Sequence, residues 1–312
     1  SSDLITAGSY IALVAYNAMM IWPIRQLGRV ISQLSKAGIS IDRLRYIMNS
    51  EPEKDRENTL TPPMDREISF RNVSFAYDNG NSEVLQDVSF DIPAGSTVGI
   101  LGGTGSGKST LIYLLERLYA LAPGSGSITI GGVDIADIES DYLRENIGVV
   151  LQEPYLFSRS LSENIAIATE NSSMADIRAA ARAASIDDAI TSFTQGYDTF
   201  VGERGVTLSG GQKQRTAIAQ MLIRKPPIMV FDDSLSAVDA ETDQKIRHAI
   251  RENTGKSTMI IIAHRITTIM NADNIIVLDK GRVAESGTHA KLMEQNGLYR
   301  KIFDLQSKGM EV

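Results

Sequence analysis

The sequence has no cysteine among its 312 residues and only three histidines. The absence of cysteine excludes disulfides, thiol catalysis and cysteine-based zinc sites, and it fits a reducing compartment. His248, His264 and His289 also lack the spacing of zinc ligands. Basic residues do not outnumber acidic ones, and the net charge of -7 argues against nucleic acid as the main partner. A hydrophobic content of 43% predicts a globular chain with one large or two medium domains.

Charge is also missing from residues 4–24, and this segment is long enough for a helix that crosses a bilayer. Trp22 stands near its end, where aromatic belts form. Five basic residues follow it: Arg25, Arg29, Lys36, Arg43 and Arg45. The positive-inside rule therefore places the following segment in the cytoplasm. A buried helix of a soluble protein is the open alternative, whereas a signal peptide would have a basic stretch in place of the initial Ser-Ser-Asp.

The segment after Pro23 continues as one amphipathic pattern. Its apolar residues recur in steps of three and four: Leu27, Val30, Leu34, Ala37, Ile41, Leu44 and Met48. This pattern predicts a helix that continues from the membrane into the cytoplasm with one apolar seam. Residues 1–50 are thus predicted to be the end of a transmembrane domain, with the span at about 4–24. The charged, proline-containing residues 51–66 are predicted to be a linker.

Residues 67–312 contain short, apolar, β-branched segments separated by turns and helices. Alternating residues from Ile68 to Tyr77 predict a strand with one bulge. Five runs are typical of strands buried on both faces of a parallel sheet: Val98–Leu101, Gly148–Leu151, Ile228–Phe231, Met259–Ala263 and Ile275–Leu278. Helices are predicted between them, at Leu111–Leu118 and Ala175–Ala184. The pattern indicates an α/β domain.

A phosphate-binding loop follows the run Val98–Leu101. Gly102–Ser109 matches the pattern G-x-x-x-x-G-K-[ST], whose glycines let backbone N–H groups point at phosphate oxygens. In such loops the lysine reaches the β- and γ-phosphates and the final hydroxyl holds Mg²⁺. A second buried strand ends in Asp232, where Mg²⁺ would compensate the cost of a carboxylate. These motifs predict that the chain binds ATP and Mg²⁺.

A further motif resembles the signature of ABC ATPases. It consists of Leu208, Ser209, Gly210, Gly211 and Gln212, followed by Lys213-Gln214-Arg215. The resemblance implies a P-loop NTPase fold of the ABC ATPase type over residues 67–312. This fold has a mostly parallel core sheet, an antiparallel β subdomain and a helical subdomain at about 153–220. A membrane helix before the ATPase resembles multidrug- and lipid-type ABC exporters, and so implies an ATPase that drives transport.

The resemblance also implies the roles of individual residues. ATP would be bound by Tyr77, Gly102, Gly103, Thr104, Gly105, Ser106, Gly107, Lys108, Ser109, Thr110, Gln152 and His264. Tyr77 would stack on adenine, although a core aromatic at a strand end is the alternative. Mg²⁺ would be held by Ser109, Gln152 and Asp232, and catalysis would involve Asp233, His264 and Gln152.

Other family segments imply a second subunit. The signature, Leu208 to Gln212, would close over ATP held by the partner, with a helix N-terminus as the anion site. Asp239 matches the D-loop that crosses this interface. Gly202-Glu203-Arg204-Gly205 resembles the exporter segment that contacts the coupling helices of the membrane domain.

Asp233 departs from the family pattern, which has glutamate at this position to act on the hydrolytic water. Aspartate is shorter by one methylene, about 1.5 Å of reach. Since a misplacement of about 1 Å can cost around a hundredfold in rate, we expect normal ATP binding and slow hydrolysis. The substitution resembles one subunit of heterodimeric exporters, whose partner would supply the glutamate. A homodimer with low turnover is the alternative.

The sequence thus predicts an export half-transporter in a cell membrane, by the resemblance a bacterial inner membrane, with the ATPase domain in the cytoplasm. Its partners would be a second half-transporter subunit, its own transmembrane domain and the lipid bilayer, and no nucleic acid. A soluble ABC ATPase of DNA repair or translation is a second hypothesis, opposed by residues 4–24 and the acidic balance. A regulatory module that holds ATP without hydrolysing it is a third, supported only by Asp233.

Overall fold

The structure, a computed structural model, describes residues 6–77, 82–169, 171–202, 205, 207–234, 240–254 and 257–308. It divides into two compact units with the boundary between Lys54 and Asp55.

The first unit consists mainly of helix α1 (Ala7–Met48), which runs through Pro23 without interruption. The Thr6 side chain caps its first turn by accepting a hydrogen bond from the Ser9 backbone N–H. No residue of α1 is buried, so its apolar side chains lie on the surface of this unit. Within the described residues, α1 is the only helix long and apolar enough to cross a membrane, with a mean hydropathy of 1.3 over its most apolar window. The membrane span stays a prediction.

The second unit is built on a six-stranded sheet. Its strand order is β10 (Arg282–Gly287), β9 (Asn274–Asp279), β3 (Thr97–Gly102), β8 (Thr258–Ala263), β7 (Ile228–Asp232) and β6 (Ile147–Val150). All neighbours are parallel except β10, which is antiparallel to β9. The five apolar runs of the sequence all form strands of this sheet, which confirms the predicted mostly parallel core.

The five parallel strands of this sheet are buried on both faces, which explains why they have no polar side, whereas the edge strand β10 is exposed at alternate positions. Along β8, Ile260 and Ile262 join one apolar core, and Met259 and Ile261 join the other. The period-2 alternation of a strand sends successive side chains to opposite faces. Each strand therefore needs apolar residues at every position.

A second, antiparallel sheet covers one face. Its order is β2 (Leu85–Ile92), β1 (Ile68–Phe75), β4 (Ser127–Ile130) and β5 (Val133–Asp134). The pairing of β1 with β2 shifts register between Phe70 and Val73 and again before Phe75, so the predicted irregularity is present. Phe70 and Phe90 stack across this pair, with ring centroids 4.5 Å apart.

The helices of the second unit complete the fold. They are α2 (Lys108–Leu115), α3 (Ser140–Glu145), α4 (Leu161–Ala166), α5 (Met174–Ala183), α6 (Asp187–Ser192), α7 (Gly210–Leu222), α8 (Ala240–Thr254), α9 (Ile266–Ile269), α10 (His289–Glu294) and α11 (Leu298–Lys308). Helices α4, α5 and α7 contact one another and contribute to the apolar core that contains Met259 and Ile261. The arrangement is the P-loop fold of ABC ATPases, as predicted.

Helix α2 ends earlier than its sequence predicts. The apolar pattern predicts a helix over Leu111–Leu118, but α2 stops at Leu115, and Leu118 is exposed. Arg117 adopts a left-handed φ of 53°. Its N–H bonds the Leu114 carbonyl and the Leu118 N–H bonds the Tyr113 carbonyl, the pattern of a Schellman C-cap. Because arginine occupies the position where glycine is usual, the sequence carries no stop signal there.

Residues 55–64, part of the predicted linker, contact the rest of the second unit. Asp55 forms an ion pair with Arg117 at 2.9 Å and accepts hydrogen bonds from the Ser140 N–H and hydroxyl. Leu60 pairs with Ile138 as an isolated bridge. Met64 is buried in the core beneath the antiparallel sheet. We call residues 55–64 the strap.

Candidate functional site

The candidate site lies at the carboxyl ends of three adjacent parallel strands. Gly102 ends β3, Asp232 ends β7, and His264 follows the last residue of β8. Since β8 lies between β3 and β7 in the sheet, these ends share one edge. Crevices at the carboxyl ends of strands are where α/β sheets bind ligands.

The loop between β3 and α2 forms a cradle for an anion. Gly105 and Gly107 have φ values of 78° and 98°, which favour glycine. A Cβ on Gly107 would also lie 2.5 Å from the Leu85 side chain. In contrast, a Cβ on Gly103 or Gly105 would meet no atom within 4 Å. Open space therefore lies beside Gly103 and Gly105, next to the N-terminus of α2, and a helix N-terminus favours anions such as phosphate.

Lys108 lies at the base of this loop. Its ammonium donates hydrogen bonds to the carbonyls of Gly102 and Gly103, at 2.8 and 2.9 Å. Burial lowers the pKa of Lys108, and the charges of Asp232 and Asp233 oppose that shift. The lysine is therefore close to the two carboxylates at the end of β7. The residues predicted to bind phosphate and those predicted to bind Mg²⁺ thus lie near one another.

Two side-chain oxygens near the loop, those of Ser109 and Asp232, lie close enough together to bind one cation. The Ser109 hydroxyl donates to the Asp232 carboxylate over 3.3 Å. Burial raises the pKa of Asp232, while the bond from Ser109 lowers it. The described residues contain no cluster of three or more metal-ligating side chains. Hydroxyl and carboxylate oxygens suit Mg²⁺, which usually takes one or two protein ligands and completes its shell with phosphate and water. The residues present therefore fit Mg²⁺ bound together with a nucleotide.

Asp233 is held by its backbone. It follows the end of β7, its φ is 48°, and its N–H donates to the Ile262 carbonyl at 2.9 Å. A left-handed φ at a residue other than glycine is strained, and such residues concentrate at functional sites. The charges of Asp233 and His264 both act on the pKa of Asp232, so all three groups lie within electrostatic range.

Tyr77 lies beside the loop, two residues beyond the end of β1. Its hydroxyl is 3.0 Å from the Thr110 hydroxyl. Phe75 and Tyr119 contact its ring edge-to-face, each with centroids 5.0 Å away. The half-buried ring thus remains in part accessible next to the loop, and both the stacking and the core interpretation stay open.

The signature motif begins helix α7. Ser209 is the N-cap: its hydroxyl accepts from the Gln212 N–H, while the Gln212 side chain accepts from the Ser209 N–H at 2.9 Å. This reciprocal capping box fixes the first turn of α7 and leaves its N-terminus oriented for an anion. Within the described part of the chain, the side chains of Ser209 and Gln212 each accept a hydrogen bond from the other residue's backbone N–H.

Gln152 lies two residues beyond β6, which ends at Val150, whereas the predicted strand Gly148–Leu151 would place it directly after the strand end. Its carbonyl accepts a hydrogen bond from the Gln214 side chain of α7 at 3.4 Å. This contact joins the Gln152 segment to the signature helix, and no local sequence pattern indicates it. A surface cavity of about 450 Å³ lies between the two segments, lined by Gln152, Tyr155 and Lys213 among others.

Several predicted positions lie outside the described residues. They are Asp239 of the predicted D-loop and Glu203 and Arg204 of the predicted coupling segment. A residue that the sequence did not indicate is Gln306, whose side chain bonds the backbone on both sides of Arg265.

The chain is similar to known proteins over most of its length. Residues 85–236 match the family model described as ABC transporter. The chain is 40% identical over 310 residues to an ATP-dependent lipid A-core flippase of Haemophilus influenzae (strain 86-028NP), covering 99% of this chain and 52% of the relative. It is 40% identical to the leukotoxin export ATP-binding protein LtxB of Aggregatibacter actinomycetemcomitans, covering 98% of this chain and 43% of that protein.

A solved structure is also similar. A bacterial Atm1-family ABC exporter with ATP bound matches with a TM-score of 0.81 and 40% identity, over 96% of this chain and 52% of that one. The chain therefore spans about half the length of the curated relatives that it matches.

Proposed function

The chain contains an ABC transporter ATP-binding domain similar to those of exporters, and on this premise we propose that it is the ATP-hydrolysing part of an export half-transporter. One observation carries the proposal: the cradle after β3, the Ser109–Asp232 pair, Asp233 and His264 meet at one sheet edge. Helix α1 supplies the membrane-spanning segment, and the ATPase domain lies on the cytoplasmic side of a bacterial inner membrane.

The proposed chemistry is hydrolysis of the terminal phosphoanhydride of ATP by a positioned water. Backbone N–H groups of the loop bind the phosphates, and the Lys108 ammonium stabilises charge that develops on the γ-phosphate. Ser109 and Asp232, with Gln152 as a proposed third ligand, would hold Mg²⁺, which would neutralise part of the phosphate charge. Asp233 orients the water, and His264 contacts the γ-phosphate.

A complete site requires two chains. The capping box fixes the first turn of α7, with Ser209 as its N-cap and Gly211 in that turn, and a helix N-terminus is suited to bind an anion. We propose that this signature closes over ATP held by a partner subunit, with Asp239 at the interface. Closure on ATP and reopening after hydrolysis would move the attached membrane helices.

We further propose that the chain's own site hydrolyses ATP slowly. The Asp233 carboxylate falls short of a glutamate by about 1.5 Å. A backbone shift is the way to restore that reach, but the bond to the Ile262 carbonyl and the left-handed φ hold the backbone in place. A partner bearing glutamate would then carry most of the turnover, which favours a heterodimer over a homodimer.

The experiment is Mg-ATPase activity of the chain against its concentration, for the parent and for Asp233→Glu. We expect slow hydrolysis by the parent and a rate about 10- to 100-fold higher in the variant, because the carboxylate regains its reach. At concentrations where most of the chain is monomeric, the rate should rise with the square of concentration, because two chains form each site. Asp279→Glu, the same change at the exposed end of β9, is the matched control and should leave the rate unchanged.

Equal rates for the parent and Asp233→Glu would contradict the slow-site proposal and favour the homodimer. A rate that stays proportional to concentration where the chain is monomeric would contradict a site shared by two separate chains. A parent that binds no ATP would overturn the proposed function itself.

A further inference from the structure

The side chain of Gln306, on the last helix of the described chain, holds the segment that carries His264. Its amide N–H donates to the His264 carbonyl at 2.7 Å, and its amide oxygen accepts from the Ile266 N–H at 2.9 Å. Both halves of one primary amide are therefore used on backbone groups two residues apart. These two bonds reproduce the pairing that an adjacent strand would provide.

Gln306 can act as a clamp because its own helix is anchored. The Glu285 carboxylate of β10 accepts hydrogen bonds from the Leu298 and Tyr299 N–H groups, which are unpaired by the helix at the start of α11. Tyr299 is fully buried, and its hydroxyl is 2.7 Å from His289 Nδ1. Helix α11 is thus fixed at the end opposite to Gln306.

The segment that it holds is the turn between β8 and α9. Ala263 and Ile266 are buried on either side, whereas the His264 side chain between them is exposed. An exposed side chain takes its position from its backbone. The turn at His264 is therefore positioned by the ends of the two elements and by the Gln306 amide.

We propose that Gln306 is a positioning residue for His264: through the backbone of residues 264–266 it sets where the imidazole meets the γ-phosphate. This inference rests on the proposed function, in which His264 contacts that phosphate. A Gln306 variant should leave ATP binding intact, because the cradle is formed by the loop between β3 and α2, and Gln306 lies on α11. It should slow the chemical step, because a catalytic group displaced by about 1 Å loses up to around a hundredfold in rate.

The test uses Gln306→Leu, which preserves the volume and removes both hydrogen bonds, with Gln306→Glu as the conservative variant. Glutamate keeps the acceptor for the Ile266 N–H and loses the donor for the His264 carbonyl, so it should give an intermediate effect. Hydrogen exchange of the Ile266 amide should become about tenfold faster in Gln306→Leu, because that N–H loses its acceptor. Gln295→Ala, at the exposed C-terminus of α10, is the control for exchange and rate.

The rates are measured with the full chain, in the parent and in Asp233→Glu, whose faster turnover widens the range. We expect kcat to fall about tenfold or more in Gln306→Leu, with KM for ATP within about twofold. In a chain that already carries His264→Ala, Gln306→Leu should cost nothing further, because the two residues act as one unit.

Unchanged exchange at Ile266 in Gln306→Leu would overturn the clamp. Faster exchange with kcat unchanged, or an equal loss of kcat in the His264→Ala chain, would overturn the positioning role. If neither the parent nor Asp233→Glu hydrolyses ATP, the proposed function fails, while the exchange result still decides whether the clamp exists.

Discussion

At the residue scale, the two neighbouring carboxylates after β7 have different environments. Asp232 is partly desolvated and bonded by Ser109, and burial raises its pKa. Asp233 is instead defined by its left-handed backbone and its bond to β8. The environments suit two roles, one at a cation and one at a water. Because both residues are aspartates, the difference comes from their positions: Asp232 is the last residue of β7, and Asp233 follows it.

Tyr77 gives a prediction at the same scale. If its ring stacks on adenine, Tyr77→Ala should weaken ATP binding about tenfold or more, because base–aromatic stacking contributes about 1–3 kcal/mol. Tyr77→Phe keeps the ring and loses only the bond to the Thr110 hydroxyl, so its affinity should fall by less than about threefold. Titration with a fluorescent ATP analogue measures both constants.

The matched control for Tyr77 is Phe200→Ala, which removes an exposed aromatic ring of the helical region and should leave the affinity unchanged. Tyr77→Ala with unchanged ATP affinity and a lower melting temperature would support the alternative, a core aromatic at a strand end.

At the scale of elements, the strap is a structured part of the second unit. The Ser140 N–H and hydroxyl and the Arg117 guanidinium together hold the pKa of Asp55 below its ordinary value. Arg117 also donates to the Ile138 carbonyl and takes the left-handed position that directly follows the C-cap of α2. The strap therefore connects, through one arginine, to the helix that begins at the phosphate cradle.

The lowered pKa of Asp55 predicts a pH-dependent contribution to stability. Asp55→Asn should cost about 1 kcal/mol of unfolding free energy at neutral pH, the scale of a partly exposed ion pair with hydrogen bonds. A carboxylate with a lowered folded pKa stabilises above its unfolded pKa of about 4 and loses that contribution as the pH falls through the folded pKa. The difference between parent and variant should therefore shrink below about pH 4.

Urea unfolding of the two chains at several pH values measures this difference. Asp65→Asn, an exposed aspartate just beyond the strap that pairs only with Arg66 at 3.7 Å in the described structure, is the control. A difference between Asp55→Asn and the parent that stays constant or grows on acidification would contradict the assignment.

At the scale of the whole molecule, local sequence patterns predict the sheet and the cradle but not the contacts between distant segments. The buried strands are predicted to within one or two residues, because a strand covered on both faces is apolar at every position. The end of α2 is not predicted, because Arg117 adopts the left-handed conformation at a position where glycine usually signals the end of a helix. The contacts of the strap and of Gln306 are not predicted either, because their partners lie tens of residues away along the chain.

In the proposed mechanism, ATP is hydrolysed at a site formed by the cradle of one chain and the signature of another. The most direct test mixes two inactive variants of the Asp233→Glu chain. One carries Lys108→Ala, which removes the phosphate-binding ammonium. The other carries Gly211→Asp, which places a negative charge in the first turn of α7, where it does not oppose the helix dipole but repels phosphate.

Each variant alone should be nearly inactive. An equimolar mixture should recover about a quarter of the Asp233→Glu rate at the same total concentration, because half of the randomly paired dimers carry one of two complete sites. A mixture no faster than its two components, with both chains folded and able to pair, would contradict the shared site and with it the proposed two-chain mechanism.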